Sequence, residues 1–152
     1  VFHHPANLFV AGFIGMPQMN FLEASLERDG DEYSVLVSDQ RIALPLDKQV
    51  RLLERDTQPQ LITLGVRPEH IMLSRAGEGL HGVHEITEMM GDMLYLHAAV
   101  QGRDVTIVRK LEIGQEHAKS TTGEEIWFKF PGNAVHLFST ETEENLEYTD
   151  GI

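Results

Sequence analysis

An all-β fold, a small barrel or sandwich of short strands, is what the sequence predicts, and three observations carry it. Apolar and polar residues alternate with a period of two in runs of four to eight residues, the pattern of a half-buried strand. Gly-containing turns separate those runs at short and fairly even spacing. The chain has 152 residues, of which 41% are hydrophobic, with no cysteine, so it is one ordinary domain, or two small halves sharing a core, that needs neither disulfides nor structural metal to stay folded.

The first segment is the exception to the β pattern. Pro5 to Ile14 predicts a short helix: proline suits a first turn, Phe9 and Phe13 stand four apart, and Gly15 is placed to end it. Its apolar residues lie nearly all round, and a helix this short is marginal alone, so it has to pack against the rest of the chain or a neighbouring domain. The chain opens on Val1 rather than methionine, which fits an excised segment or a processed protein.

After Pro17 the strands begin. Leu22, Ala24 and Leu26 alternate with Glu23, Ser25 and Glu27, and Tyr33, Val35 and Val37 follow across Asp29-Gly30, a hairpin signal. Ile42 to Leu46, Leu61 to Arg67 and Ile71 to Ser74 are further strand-like runs. Between them Asp47 to Glu54 predicts one or two turns of helix with Asp47 as the cap. Val83 to Met89, Leu94 to Val100, Val105 to Arg109, Ile126 to Phe130 and Val135 to Phe138 continue the strand pattern. Arg75-Ala76-Gly77-Glu78-Gly79 is the best candidate boundary between halves. The acidic tail, with Glu141, Glu143, Glu144, Glu147 and Asp150, reads as a solvated edge or a frayed end, with contact to a basic partner surface as the alternative.

Charge and composition exclude several classes of function. The formal net charge is -12, and it is uneven: residues 1–75 carry 7 basic and 10 acidic side chains, residues 76–152 carry 5 and 14. Nucleic-acid affinity rests on Lys and Arg neutralising phosphates, so nucleic acid and anionic membrane are poor partners. Without cysteine, thiolate zinc sites, disulfides and thiol nucleophiles are excluded. No apolar run approaches the roughly 20 residues of a membrane helix. The longest, Leu8 to Met16, is broken by Gly12 and Gly15 and lacks the basic flank and cleavage site of a signal peptide.

Eight histidines invite a metal hypothesis. His81 and His84 stand three apart, which on a strand puts them on opposite faces; only on a turn would they share a metal ion, and there no third ligand is obvious. His3, His4, His97 and His136 read as surface or satisfied core histidines. Glu85 and Glu88 also fall on opposite faces, which leaves a paired acid and base unsupported. The chain has no G-x-S-x-G, no phosphate-loop motif and no G-x-G-x-x-G.

The most structured polar element is Gly65-Val66-Arg67-Pro68-Glu69-His70. Arginine before proline is pushed to an extended conformation, and Glu69 and His70 then sit at a strand-to-strand turn. Arg67 and Glu69 are placed to pair across that turn, or the same groups hold an anion or contact a partner domain.

The opening Val1-Phe2-His3-His4-Pro5-Ala6-Asn7-Leu8-Phe9-Val10-Ala11-Gly12-Phe13-Ile14-Gly15, followed by Pro17 and Asn20, resembles the segment after the ATPase domain in the ATP-binding subunits of maltose- and glycerol-3-phosphate-type ABC importers. The run from Gly65 through Arg67, Pro68, Glu69 and His70 is similar to that family's G-x-R-P-E-H motif. Glu88-Met89-Met90-Gly91 resembles its E-x-L-G turn, and His136-Leu137-Phe138 its closing H-L-F. The chain departs from the pattern at Ser139, where the family has Asp, and at Thr142-Glu143-Glu144-Asn145-Leu146, where it has T-G-x-x-L. Residues 112–125 match no part of it.

That resemblance implies an OB-like β-barrel of the MOP or TOBE type built from two halves, with a short N-terminal helix. Residues 1–15 would be a linker helix after a missing ATPase domain, and 16–152 an accessory domain with halves of about 16–76 and 80–152. It implies a non-catalytic, regulatory and dimerising role in a sugar or sugar-phosphate importer, without a cofactor of its own, ATP and magnesium belonging to the missing domain. The implied partners are a second copy of the subunit, the ATPase domain, the membrane permease subunits and a regulatory protein or metabolite, at the inner face of the cell membrane. Gly65, Arg67, Pro68, Glu69, His70, Gly91, His136 and Phe138 are the motif residues expected to carry structure or regulation. Two other readings stay open: a free-standing barrel binding a small ligand or oxyanion through backbone amides and Arg67, and a metal-dependent hydrolase using His81, His84 and Glu85.

Overall fold

The computed structural model describes Asn7, residues 18–111 and residues 122–148. The helix expected over residues 1–15 lies outside the described residues apart from Asn7, which forms an isolated antiparallel bridge with Glu144. Residues 112–121 lie outside them too.

The elements follow one another as β1 (Asn20–Asp29), β2 (Glu32–Val37), β3 (Gln40–Ala43), α1 (Leu46–Glu54), β4 (Gln60–Val66), β5 (Met72–Ser74), β6 (Leu80–Met90), β7 (Met93–Val100), β8 (Arg103–Lys110), β9 (Glu125–Lys129) and β10 (His136–Ser139). The all-β expectation holds, and each predicted strand lies within three residues of its observed bounds. Two compact units emerge, one spanning Val1–Val66 with Pro131–Ile152, the other Arg67–Phe130. The halves expected at about 16–76 and 80–152 divide the chain differently. Pairing of β10 with β4, Leu137 opposite Leu64, draws the chain's end into the first unit, a long-range contact that strand periodicity does not encode.

The first unit holds an antiparallel sheet in the order β10-β4-β1-β2-β3. Its strands bury alternate residues: Leu22, Ala24 and Leu26 on β1, Tyr33, Val35 and Val37 on β2, Ile62 and Leu64 on β4. The Asp29-Gly30 signal marks the β1–β2 hairpin, closed by the pair Asp29 and Glu32. α1 starts one residue earlier than predicted. Pro45, not Asp47, occupies the cap position, and its carbonyl accepts from Lys48 and Gln49 N–H, both at 3.1 Å. Asp47 instead sits in the first turn and accepts from Arg51 at 3.0 Å, which holds its carboxyl below the usual carboxylate range. Lys48 and Leu52 face inward on this helix, while Leu46, Val50 and Leu53 are exposed.

The second unit holds an antiparallel sheet in the order β5-β9-β6-β7-β8, with Leu80, Leu96, Ala98, Ile107 and Phe128 buried within it. β6 is irregular between His84 and Ile86, where an extra residue bends the strand and interrupts the ladder. Among the described residues β6 pairs beyond that point with β7 alone; its ladder with β9 runs from Leu80 to Val83.

Candidate functional site

The motif residues divide between the two units. Gly65, His136 and Phe138 belong to the first, where His136 stands opposite Gly65 across the β4–β10 ladder. A Cβ on Gly65 would lie 2.5 Å from Met19 Sδ and 3.2 Å from Phe138 Cε2, so a larger residue there would have to push the Met19 side chain aside and press on Phe138. Phe138 is fully buried and meets the Phe21 ring edge-on, with centroids 6.4 Å apart. Met19, Phe21 and Phe138 thus form an apolar packing seam.

The other five belong to the second unit. Arg67 is half-buried and extended, φ -74° and ψ 144°, as its place before proline predicts. Pro68–His70 forms one 3₁₀ turn in which the Arg67 carbonyl accepts from His70 N–H at 3.0 Å and the Pro68 carbonyl from Ile71 N–H at 3.3 Å. Pro68 is buried, Glu69 and His70 are exposed, and the turn packs against β8. Gly91 sits at the tip of the β6–β7 hairpin at φ 64°, a left-handed conformation that glycine adopts freely.

Among the described residues the histidines do not converge. His81 is exposed, meets Glu125 Oε1 at 3.1 Å and lies over the Trp127 ring, 5.0 Å between centroids. His84 is 3% exposed, with Nε2 at 2.8 Å from Thr87 Oγ1 and Nδ1 without a hydrogen-bond partner. Opposite burial of the two is what three-residue spacing on a strand dictates. Glu85 contributes its backbone carbonyl to the Thr122 hydroxyl, at 2.9 Å. Among the described residues no group of three or more His, Asp or Glu gathers to hold a metal, which leaves the hydrolase reading without a site. His97 bridges β6 and β8, with Nε2 2.7 Å from Glu88 Oε1 and Nδ1 3.2 Å from Thr106 Oγ1.

Two features escape sequence reasoning. The first is a buried charge cluster. Lys48 Nζ donates to Glu147 Oε2 at 2.9 Å and to the Val135 carbonyl at 2.8 Å, while Arg51 Nε donates to Glu147 Oε1 at 3.0 Å. Arg51 also lies over the Tyr148 ring, 4.7 Å from its centroid. Burial pushes the Tyr148 hydroxyl up, partly opposed by Arg51. Glu147 is thus buried, a correction to the reading of the acidic tail as a solvated edge; Glu141, Glu143 and Glu144 are exposed as expected. The second is a cleft of about 870 Å³ over β1, β2 and α1, with Glu27, Arg28, Glu32, Arg41 and Gln49 in its lining. Its arginines are committed: Arg28 to Asp56 at 2.8 Å and Arg41 to Glu27 at 2.5 Å. Gln49 accepts from Tyr33 N–H and donates to Tyr33 C=O, at 2.6 and 2.7 Å, so it continues the ladder where β3 ends.

The departures from the family pattern have local explanations. Ser139 Oγ accepts from Thr142 N–H at 3.1 Å, the bond an Asp carboxylate would make there. Glu143, in the position of the family's glycine, is held at φ 63°, which costs a side-chain-bearing residue about 1 kcal/mol. Glu143→Gly is therefore expected to stabilise the chain by about 0.5–1 kcal/mol, read as a rise in calorimetric midpoint; an unchanged or lower midpoint counts against the strain.

Comparison with known proteins decides what this arrangement belongs to. The model of the MalK OB fold domain matches residues 15–71 and that of the TOBE domain residues 64–138. The chain belongs to the MalK OB fold and TOBE domain families. It is 36% identical over 147 residues to the sn-glycerol-3-phosphate import ATP-binding protein UgpC of Escherichia coli O157:H7, covering 96% of this chain and 38% of that one. It is 34% identical over 149 residues to the ABC transporter ATP-binding protein YurJ of Bacillus subtilis (strain 168), covering 95% and 39%. The chain thus spans about two fifths of the length of these relatives. A crystal structure of the cytoplasmic molybdate-binding protein ModG is similar at a TM-score of 0.56 and 15% identity, over 79% of this chain and 95% of that one. That likeness shows the OB-type fold.

Proposed function

We propose that the chain is the accessory part of the ATP-binding subunit of a sugar- or sugar-phosphate-type ABC importer, non-catalytic by itself, and that it steadies the subunit's homodimer while the ATPase domains open and close. The observation that carries this reading is the 36% identity to a glycerol-3-phosphate import ATP-binding protein over nearly the whole of this chain but only 38% of that protein. The remaining length of such a relative leaves room for the nucleotide-binding motifs that this sequence does not contain. The reading places the chain at the cytoplasmic face of the membrane, against a second copy, its own ATPase domain and the permease subunits. Gly65, Phe138 and His136 then act through packing. Arg67, Pro68, Glu69, His70 and Gly91 shape the turns that present a surface, with Glu69 and His70 exposed for contact.

Two measurements test it. The coding sequence upstream of Val1 is expected to run in frame through a phosphate loop; a start codon directly before Val1 would remove the assignment. Sedimentation of the 152-residue chain is expected to show weak self-association that grows with concentration, without ATP turnover. A strict monomer at high concentration rejects the dimerising role, and turnover of ATP rejects the non-catalytic one.

A further inference from the structure

α1 presents an apolar face that the described residues leave open. Leu46, Val50 and Leu53 are 78%, 45% and 37% exposed, and their spacing of four and three residues lines them along one side of the helix. The face is unusual because the same helix spends its inward side on a charge, Lys48, which Glu147 neutralises. At the Leu46 end the ridge opens into a hollow lined by Asp29, Asp31, Glu32, Leu44, Leu46 and Gln49. None of those three carboxylates takes part in an ion pair among the described residues. At the other end Glu54 and Arg55 offset each other in charge.

We propose that this ridge and hollow form a docking surface for a basic amphipathic helix of a partner protein. The partner's apolar side would lie along Leu46, Val50 and Leu53, and a lysine or arginine would enter the acidic hollow. Charge selects this occupant. A second copy of the chain, with net charge -12, brings no surplus of cations to the hollow, and an anionic bilayer is repelled by it. Size points the same way: nine helical residues give a ridge about 14 Å long, enough for two turns of a partner helix and too little for the roughly 800 Å² per side of a stable dimer. The interaction is therefore weak and reversible, with a dissociation constant on the order of 10 μM, and it is independent of the self-association proposed above.

The test uses the 152-residue chain and two labelled synthetic helices of about 16 residues with leucines at i, i+3, i+4 and i+7, one completed with lysine and the other with glutamate. Fluorescence anisotropy is expected to show binding of the lysine peptide and about tenfold weaker binding of the glutamate one. Leu46→Asp with Val50→Asp is expected to weaken the lysine peptide about tenfold although it adds negative charge, and Asp31→Asn with Glu32→Gln to weaken it as well. Both leucine-face positions are exposed, so circular dichroism should be unchanged; Leu46→Ser with Val50→Ser serves if it is not. If the Asp variant binds equally or more tightly, the attraction is only that of an acidic protein for a basic peptide, and the proposal falls. It also falls if that variant abolishes self-association in sedimentation, which assigns the face to a second copy, or if anionic phosphatidylglycerol vesicles bind the chain through it.

Discussion

Glu147→Leu is expected to cost the first unit about 3–5 kcal/mol, because it strands a buried ammonium group. Lys48 is 8% exposed at its side chain and Glu147 1%, so neither charge can fall back on water. With the carboxylate gone, Lys48 Nζ keeps only the Val135 carbonyl at 2.8 Å, and Arg51 loses one of its two acidic partners. Lys48→Met is expected to cost less, since Glu147 still accepts from Arg51 at 3.0 Å. Lys48→Met with Glu147→Leu should recover much of the loss, because an apolar pair of similar volume has no desolvation to offset. Calorimetry on the three variants forms a double-mutant cycle. Two single losses that simply add would show that the pair is not coupled and that the cluster is a surface feature.

That cluster marks where reading the sequence stops. Period-two alternation located the strands, because a sheet with one buried face has to alternate whatever the rest of the chain does. His81 and His84 could be separated on the same ground, and Arg67 could be read as extended because its neighbour's ring forbids the alternative. Lys48 could not be read as buried. A lysine in a short helix and a glutamate in an acidic tail, 99 residues apart, each look solvated alone, and only β10 returning to β4 brings them together. Gly65 shows an intermediate case: its motif was visible, but the reason for the glycine lies in Met19 and Phe138, which are 46 and 73 residues away along the chain. Local signals were legible, and side-chain roles set by long-range closure were not. The outward turn of Leu46, Val50 and Leu53 follows from the same closure, since placing Lys48 against Glu147 fixes which side of α1 faces in.

Gly79→Ala is the second substitution with a large expected effect, and Gly77→Ala provides its control. Both glycines hold a left-handed backbone, at φ 90° and φ 85°, so alanine at either meets the same conformational penalty, about 1 kcal/mol. Their surroundings differ. A Cβ on Gly77 finds nothing within 4 Å, whereas one on Gly79 would lie 2.3 Å from the Phe128 carbonyl oxygen. That oxygen belongs to β9, which pairs with β6 from Leu80 opposite Phe128 onward and with β5 through Leu73. It cannot retreat without opening a ladder on one side or the other. Gly79→Ala should therefore lose about 3 kcal/mol or more, the range of changes that break backbone pairing in a packed sheet, while Gly77→Ala loses about a third of that. Trp127, the chain's single tryptophan, adjoins Phe128 on β9 and pairs with His81 and Ser74, so its fluorescence during urea unfolding reports on the second unit directly. Equal losses in the two variants would mean that β9 gives way freely, and the close approach at Gly79 would then hold no part of the second sheet together.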